Sequence, residues 1–186
     1  MKETEWAQSV VNLLDSKLSG YRVESGKRLI YANEIVEYRD ENAIYNEMAY
    51  QTDILISEIM EENKWVPRVV IETKINSVTT HDAITYSQKS STHKYVHPYL
   101  RYGIFLGNMN ESPLPGRLFR HGAHFDFMIT WKGYKPAEYE WTALLDVINK
   151  EIQASKKLEE MIFNTRNKQR KKYFVFHKPL MVQHSK

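Results

Sequence analysis

The feature that most constrains this chain is a pair of short apolar runs, Ile54-Leu55-Ile56 and Val69-Val70-Ile71, on either side of the polar stretch Met60 to Lys64. Runs rich in β-branched residues around a polar segment predict a β-hairpin. With the turn centred on Glu62 and Asn63, antiparallel pairing sets Ile54 against Ile71, Leu55 against Val70 and Ile56 against Val69. Each apolar side chain then meets an apolar partner. The same register sets Asp53 opposite Glu72. Glu-Asn is a weaker turn signal than Asn-Gly, so a longer loop with slightly different pairing stays open. Pro67, which has no amide hydrogen to donate, is expected near the start of its strand or on an unpaired edge.

Strand alternation sends Val69, Ile71, Thr73 and Ile75 to one face, and Val70, Glu72 and Lys74 to the other. Asp53 joins Glu72 and Lys74, so two carboxylates and an ammonium converge. Charged groups inside so apolar a run are costly unless they are paired or functional. The plain alternative is an ion pair on an exposed strand face. The functional alternative is phosphodiester hydrolysis, in which a carboxylate-held divalent cation neutralises the phosphate and activates water. Hard oxygen donors favour Mg²⁺, with Mn²⁺ able to substitute. Asp53 and Glu72 are the expected ligands, completed by the Thr73 carbonyl. Lys74 is placed to orient or help deprotonate the attacking water and to stabilise the added negative charge.

Asp53 followed by Glu72-Thr73-Lys74 on the next strand resembles the motif of the PD-(D/E)XK nuclease superfamily. It most resembles the cleavage domains of Type IIS restriction endonucleases. A chain of 186 residues that is nearly all cleavage domain is similar to the small subunit of a heterodimeric Type IIS enzyme, whose larger subunit recognises the site. The resemblance implies an α/β, restriction-endonuclease-like fold with a mixed central sheet flanked by helices. It also implies Mg²⁺ dependence and the cutting of one strand of duplex DNA per active site. The likeness is close over the middle third and is a pattern only in the flanking helices. Thr52 stands where the motif carries proline, a residue that coordinates nothing. Glu62-Asn63-Lys64 repeats the tripeptide in a polar segment with no carboxylate facing it. The rival readings are a homodimeric restriction or structure-specific repair or junction nuclease, and a DNA-binding module of the same fold without catalysis.

The remaining features fit one domain over residues 1–186, with 42% hydrophobic residues to build its core. The absence of cysteine excludes disulfides, thiolate metal sites and thiol nucleophiles, and suits a cytoplasmic protein. No apolar run is long enough to span a membrane, and the N-terminus reads as an amphipathic helix rather than a signal peptide. Helices are predicted around Trp6–Leu18, over Thr79–His97 and onward from Pro136; strands are predicted at Leu100–Leu106, Phe125–Trp131 and Tyr173–Phe176. The acidic stretch Tyr21–Tyr45 fits either a helix or a strand with a loop.

A formal net charge of +3 does not identify a nucleic-acid partner by itself, so the distribution of charge matters more. Lys89, His93 and Lys94 on the helix after the motif, and the basic run Arg166, Lys168, Arg170, Lys171 and Lys172, are the candidate phosphate contacts. Gln88 is the candidate polar group turned toward the metal or scissile phosphate. His93 with His97, and His121 with His124 and Asp126, form competing metal constellations, for which phosphate contact or ordinary hydrogen bonding is the favoured reading. No recognisable sequence-reading module is present. The expectation is therefore a monomer in isolation that acts on duplex DNA with a larger recognition subunit.

Overall fold

A computed structural model describes residues 1–110, 114–164 and 167–183. Its main sheet has five strands in the order β1-β4-β5-β6-β7: β1 (Tyr21–Glu24), β4 (Ile54–Ile59), β5 (Trp65–Ile75), β6 (Arg101–Gly107) and β7 (Phe127–Thr130). The first three pair antiparallel, and β5, β6 and β7 run parallel. The sheet is therefore mixed, and helices cover both of its faces. Helices α1 (Glu3–Asp15) and α4 (Glu138–Phe163) pack on one face through Trp6, Val10, Leu14, Leu144, Ile148 and Ile152, against Ile54, Ile56, Val69, Ile71 and Phe105. Helices α2 (Thr80–Val96) and α3 (Gly116–His121) cover the other, where Ala83 and Leu118 meet Ile104 and Leu106.

The β4–β5 hairpin has the register the apolar alternation predicts, with Ile54 on Ile71, Leu55 on Val70 and Ile56 on Val69. The turn is a single 3-10 turn at Glu61–Asn63 rather than a two-residue loop. Pro67 lies inside the strand, at the register shift that sets it opposite Ser57. It is the third residue of β5, ahead of Val69 where the β6 ladder begins, so it lies near the strand's start with one side unpaired, as its missing amide donor requires.

The ambiguous acidic stretch resolves into strands. After β1 the chain forms a separate two-stranded ribbon, β2 (Arg28–Arg39) with β3 (Asn42–Gln51), whose pairing shifts twice, between Ile30 and Ala32 and between Ile35 and Glu37. Its root packs Leu29 against Leu55, Val70 and Tyr102, while Ile35, Tyr38 and Tyr45 toward its tip are exposed. Tyr173–Phe176 carries strand-forming residues but is exposed coil after α4, with no sheet edge pairing with it. The expected last strand is thus absent there. The expected loop before β7 includes the short α3; Pro113 lies outside the described residues. No helix among the described residues is long and apolar enough to cross a membrane.

Trp6 fixes α1 to the sheet. Its ring is fully buried and tilted against Phe105, and its indole N–H donates to the Tyr134 carbonyl at 2.9 Å. Gly107 is required beneath it, because a Cβ there would lie 2.3 Å from the indole ring. Gly107→Ala is expected to destabilise the fold by about 3 kcal/mol, the upper part of the overpacking range, since neither the ring nor the central strand can easily yield. Urea denaturation checks this; an unchanged midpoint would mean that the indole shifts freely.

Candidate active site

The hairpin register carries Asp53 one step beyond the last ladder pair, to the end of β5. There its Oδ2 accepts from the Thr73 amide at 2.7 Å and the Thr73 hydroxyl at 3.0 Å. This clamp fixes the Asp53 carboxylate between Glu72 and Lys74 in the order of the strand. Glu72 is 1% exposed, on the face that β5 turns toward α2. Tyr102, paired across the parallel β5–β6 ladder two residues from the Glu72 partner, donates its hydroxyl to Glu72 Oε1. Lys89 of α2 brings its Nζ to 3.6 Å from the same oxygen.

Burial raises the Glu72 pKa, and the nearby Asp53 charge raises it further, to about 7, against the opposing pull of Lys89 and Tyr102. A buried carboxyl group with a second acid close by creates a demand for positive charge. A cation bound between hard oxygen donors relieves both the desolvation and the repulsion, so this pair fits Mg²⁺ or Mn²⁺ better than a thiophilic metal.

Lys74 follows Glu72 by two residues on β5 and has its own partners. Its Nζ is 3.3 Å from Glu3 Oε1 of α1 and 3.9 Å from Asp82 Oδ1 of α2. Its burial favours the neutral amine, but the Tyr86 hydroxyl and Glu3 outweigh that effect and hold the pKa above the usual lysine range. Lys74 is therefore a persistent cation and donor. The expectation that it helps deprotonate water is corrected: a proton acceptor needs a lowered pKa, and this one is raised. Asp82 is held in place by the α2 capping box, in which the Thr79 amide donates to its carboxylate at 2.7 Å and Thr79 Oγ1 accepts from the Asp82 amide at 3.0 Å.

Helix α2 presents Asp82, Tyr86, Lys89 and His93 toward the sheet at the spacing of one helical stripe. The Tyr86 ring is near both ammonium groups, its centre 5.3 Å from Lys74 Nζ and 5.0 Å from Lys89 Nζ. Sequence reasoning missed Glu3, Tyr86 and Tyr102 as members of this cluster. Helical phase was the available signal for Tyr86: residues 82, 86 and 89 share a face, and Gln88 does not. Gln88 is exposed, and the Thr92 hydroxyl donates to its backbone carbonyl. It is thus corrected from a site residue to a solvent-facing one.

The expected phosphate contacts on α2 are also corrected. His93 is fully buried, its ring stacked 5.7 Å from Tyr102 and edge-on to Tyr31 and Tyr50, so no phosphate reaches it. Burial lowers its pKa to about 4 and leaves the ring neutral. Lys94 is engaged by Asp126 at 2.8 Å and by the His124 carbonyl at 2.6 Å. Lys89 faces Glu72 and the Tyr50 and Tyr86 rings, which makes it part of the acidic pocket rather than a separate phosphate contact. Lys168, Arg170, Lys171 and Lys172 are exposed beyond α4, Lys171 lying 3.1 Å from Glu160; Arg166 lies outside the described residues. Among the described residues no group of three or more His, Cys, Asp and Glu side chains is placed to hold a metal. The two histidine constellations therefore gather no ligand set, and Asp126 is committed to Arg101 and Lys94.

The chain matches no protein-family model, and no curated protein matches it. The site must be read from its own geometry.

Proposed function

We propose that this protein is a Mg²⁺-dependent endodeoxyribonuclease that hydrolyses one phosphodiester strand of duplex DNA. The observation that supports this most is that Asp53, clamped on Thr73, lies close enough to Glu72 to raise its pKa, with Lys74 two residues further along β5. Asp53 and Glu72, with the Thr73 carbonyl, would hold the cation. When bound, it would neutralise the scissile phosphate and make a bound water more acidic. Lys74, kept protonated, donates toward the attacking water or a phosphate oxygen and favours the more highly charged transition state. Thr73 keeps Asp53 oriented through two hydrogen bonds, and Tyr102 does the same for Glu72.

The pattern of residues resembles PD-(D/E)XK nucleases, and the mixed sheet between helices accommodates that resemblance. On this reading the chain is the cleavage subunit of a heterodimeric Type IIS restriction endonuclease, relying on a larger subunit for site recognition. The exposed basic residues beyond α4 would add phosphate contacts.

Supercoiled plasmid tests the chemistry directly. Nicked circles are expected with Mg²⁺ or Mn²⁺ and none with EDTA. Asp53→Ala and Lys74→Ala are each expected to lower the nicking rate by about 10²–10³, the scale of losing one preorganised group acting on the transition state. Nicking that survives both changes would end the nuclease reading. Site-specific double-strand cleavage by the chain alone would end the dependence on a larger subunit.

A further inference from the structure

With the α2 cations engaged by carboxylates and rings, the surface that could hold a duplex lies elsewhere, and its best-built part adjoins Lys74. Asn76 follows Lys74 by two residues, where β5 ends. Beside it lie the ends of β6, at Asn108 and Asn110, and of β7, leading to Lys132, Tyr134 and Lys135. In open sheets, ligands bind beyond the carboxyl ends of parallel strands, and these are the three parallel strands of this sheet.

The three strand ends are tied into one shelf. The Asn76 amide donates to the Gly107 carbonyl at 2.9 Å, Asn108 to Gly133 at 3.1 Å and Asn110 to Lys132 at 2.8 Å. Asn76 Oδ1 accepts both the Asn108 side-chain amide at 2.6 Å and the Tyr134 hydroxyl at 3.2 Å. All three asparagines adopt left-handed backbone, with φ of 66°, 55° and 54°, which lets each strand turn tightly. Trp6 holds the Tyr134 carbonyl from below. The shelf is thus preorganised, not a set of loose loops.

Its charges are available. Lys132 and Lys135 are exposed, and neither makes an ion pair among the described residues. The nearest buried acid, Glu140, is turned inward, accepting the Lys132 and Ala137 backbone amides at 2.7 and 2.8 Å. By contrast, the β2–β3 ribbon carries Glu34, Glu37, Asp40, Glu41 and Glu47 and would repel a polyanion.

We propose that the Asn76–Asn108–Lys132–Lys135 shelf binds the sugar-phosphate backbone of duplex DNA beside the scissile phosphate. This inference rests on the nuclease reading, because that reading supplies the scissile position at Lys74. Two inter-strand steps make the shelf roughly 10 Å wide, which matches about three nucleotide steps along one strand of B-DNA. The asparagine amides and lysine ammonium groups contact phosphate oxygens and read no base edges, so the contact is independent of sequence.

The test is binding of a fluorescein-labelled duplex of arbitrary sequence, followed by anisotropy in Ca²⁺ over a salt series, with plasmid nicking in Mg²⁺ measured in parallel. Lys132→Ala/Lys135→Ala is expected to reduce the slope of log K against log salt by about 2, one for each lost phosphate contact. Lys17→Ala, an exposed change in the turn after α1, leaves the slope unaltered. Wild-type protein that nicks DNA while the double variant keeps its full slope overturns the shelf and spares the nuclease. A reduced slope without any wild-type nicking keeps the shelf as a phosphate-binding surface and overturns nicking by this chain alone. No duplex binding by the wild type, or an equal effect from Lys17→Ala, overturns the shelf.

Discussion

Replacing Glu72 by glutamine is expected to abolish nicking and, at the same time, to make the metal-free protein more stable above pH 7. The Glu72 carboxyl titrates near 7 in the fold against an ordinary value of 4.5, first because it is buried and then because Asp53 is close. A pKa raised by folding means that the folded state favours the protonated form. This group's stability is therefore fully present below about pH 4.5 and is lost as pH rises through 7. Above that, the ionised carboxylate costs about 3 kcal/mol, at 1.36 kcal/mol per pKa unit. Glutamine keeps the shape and an acceptor for the Tyr102 hydroxyl but has no proton to lose, so this pH dependence disappears. Thermal melts of both proteins in EDTA from pH 5 to pH 9 should diverge with rising pH, the variant melting higher. Mg²⁺ should raise the melting temperature of the wild type at pH 8 and leave the variant almost unmoved, because a ligand that binds only the folded state stabilises it. A variant less stable than the wild type at pH 8 in EDTA would refute the desolvation argument; a variant that still nicks would remove Glu72 from the chemistry.

A stability deficit at a buried acid is the expected signature of a site that waits for a cation. The surrounding residues can be sorted by whether they relieve or maintain it. Lys89 and Tyr102 relieve it, since both lower the Glu72 pKa, whereas Asp53 maintains it. Glu3 and Asp82 instead act on Lys74, keeping the ammonium directed between α1 and α2. The Tyr86 ring contacts both lysines. Each lysine thus has its own partners, and the two can be tested apart.

The hairpin was legible because two-residue periodicity survives wherever one strand face is apolar throughout, as in Ile54, Ile56, Val69 and Ile71. That periodicity alone brought Asp53 to Glu72, although the two residues are far apart in the chain. The β2–β3 ribbon was not legible: its two register shifts break the alternation, and its exposed acids and aromatics give no consistent inner face. Partners arriving from other elements were also hidden. Tyr102 reaches Glu72 through a parallel ladder formed by a helical crossover, and Glu3 reaches Lys74 only because Trp6 anchors α1 over Gly107. Gln88 was expected toward the metal and Lys89 toward phosphate, yet it is Lys89 that reaches Glu72; one position on a helix is about 100° of rotation and separates solvent from the site. Tyr173–Phe176 shows the limit of strand propensity, because residues suited to a sheet form a strand only where an edge receives them.

The two lysines should fail in different ways when each is replaced by methionine. Lys89 lies 3.6 Å from the Glu72 carboxylate and lowers its pKa, so Lys89→Met should push that pKa further above 7. Because Glu72 must be ionised to hold a cation, the rising limb of nicking against pH moves to higher pH, with about a tenfold loss at pH 7 for each unit of displacement. The loss is recoverable: raising the pH to 9, or the Mg²⁺ concentration at pH 7, returns the rate toward that of the wild type. Lys74 is a persistent cation; on the proposed nuclease reading it donates to reacting groups, so Lys74→Met removes a transition-state interaction and leaves Glu72 able to ionise. Its loss, about 10²–10³ on the scale of one missing donor, should be the same at every pH and at every Mg²⁺ concentration. Rates measured from pH 6 to pH 9 at low and high Mg²⁺ separate the cases. Alkaline rescue of Lys74→Met with none for Lys89→Met would exchange their roles. A flat profile for the wild type would show that the ionisation of Glu72 does not govern the reaction.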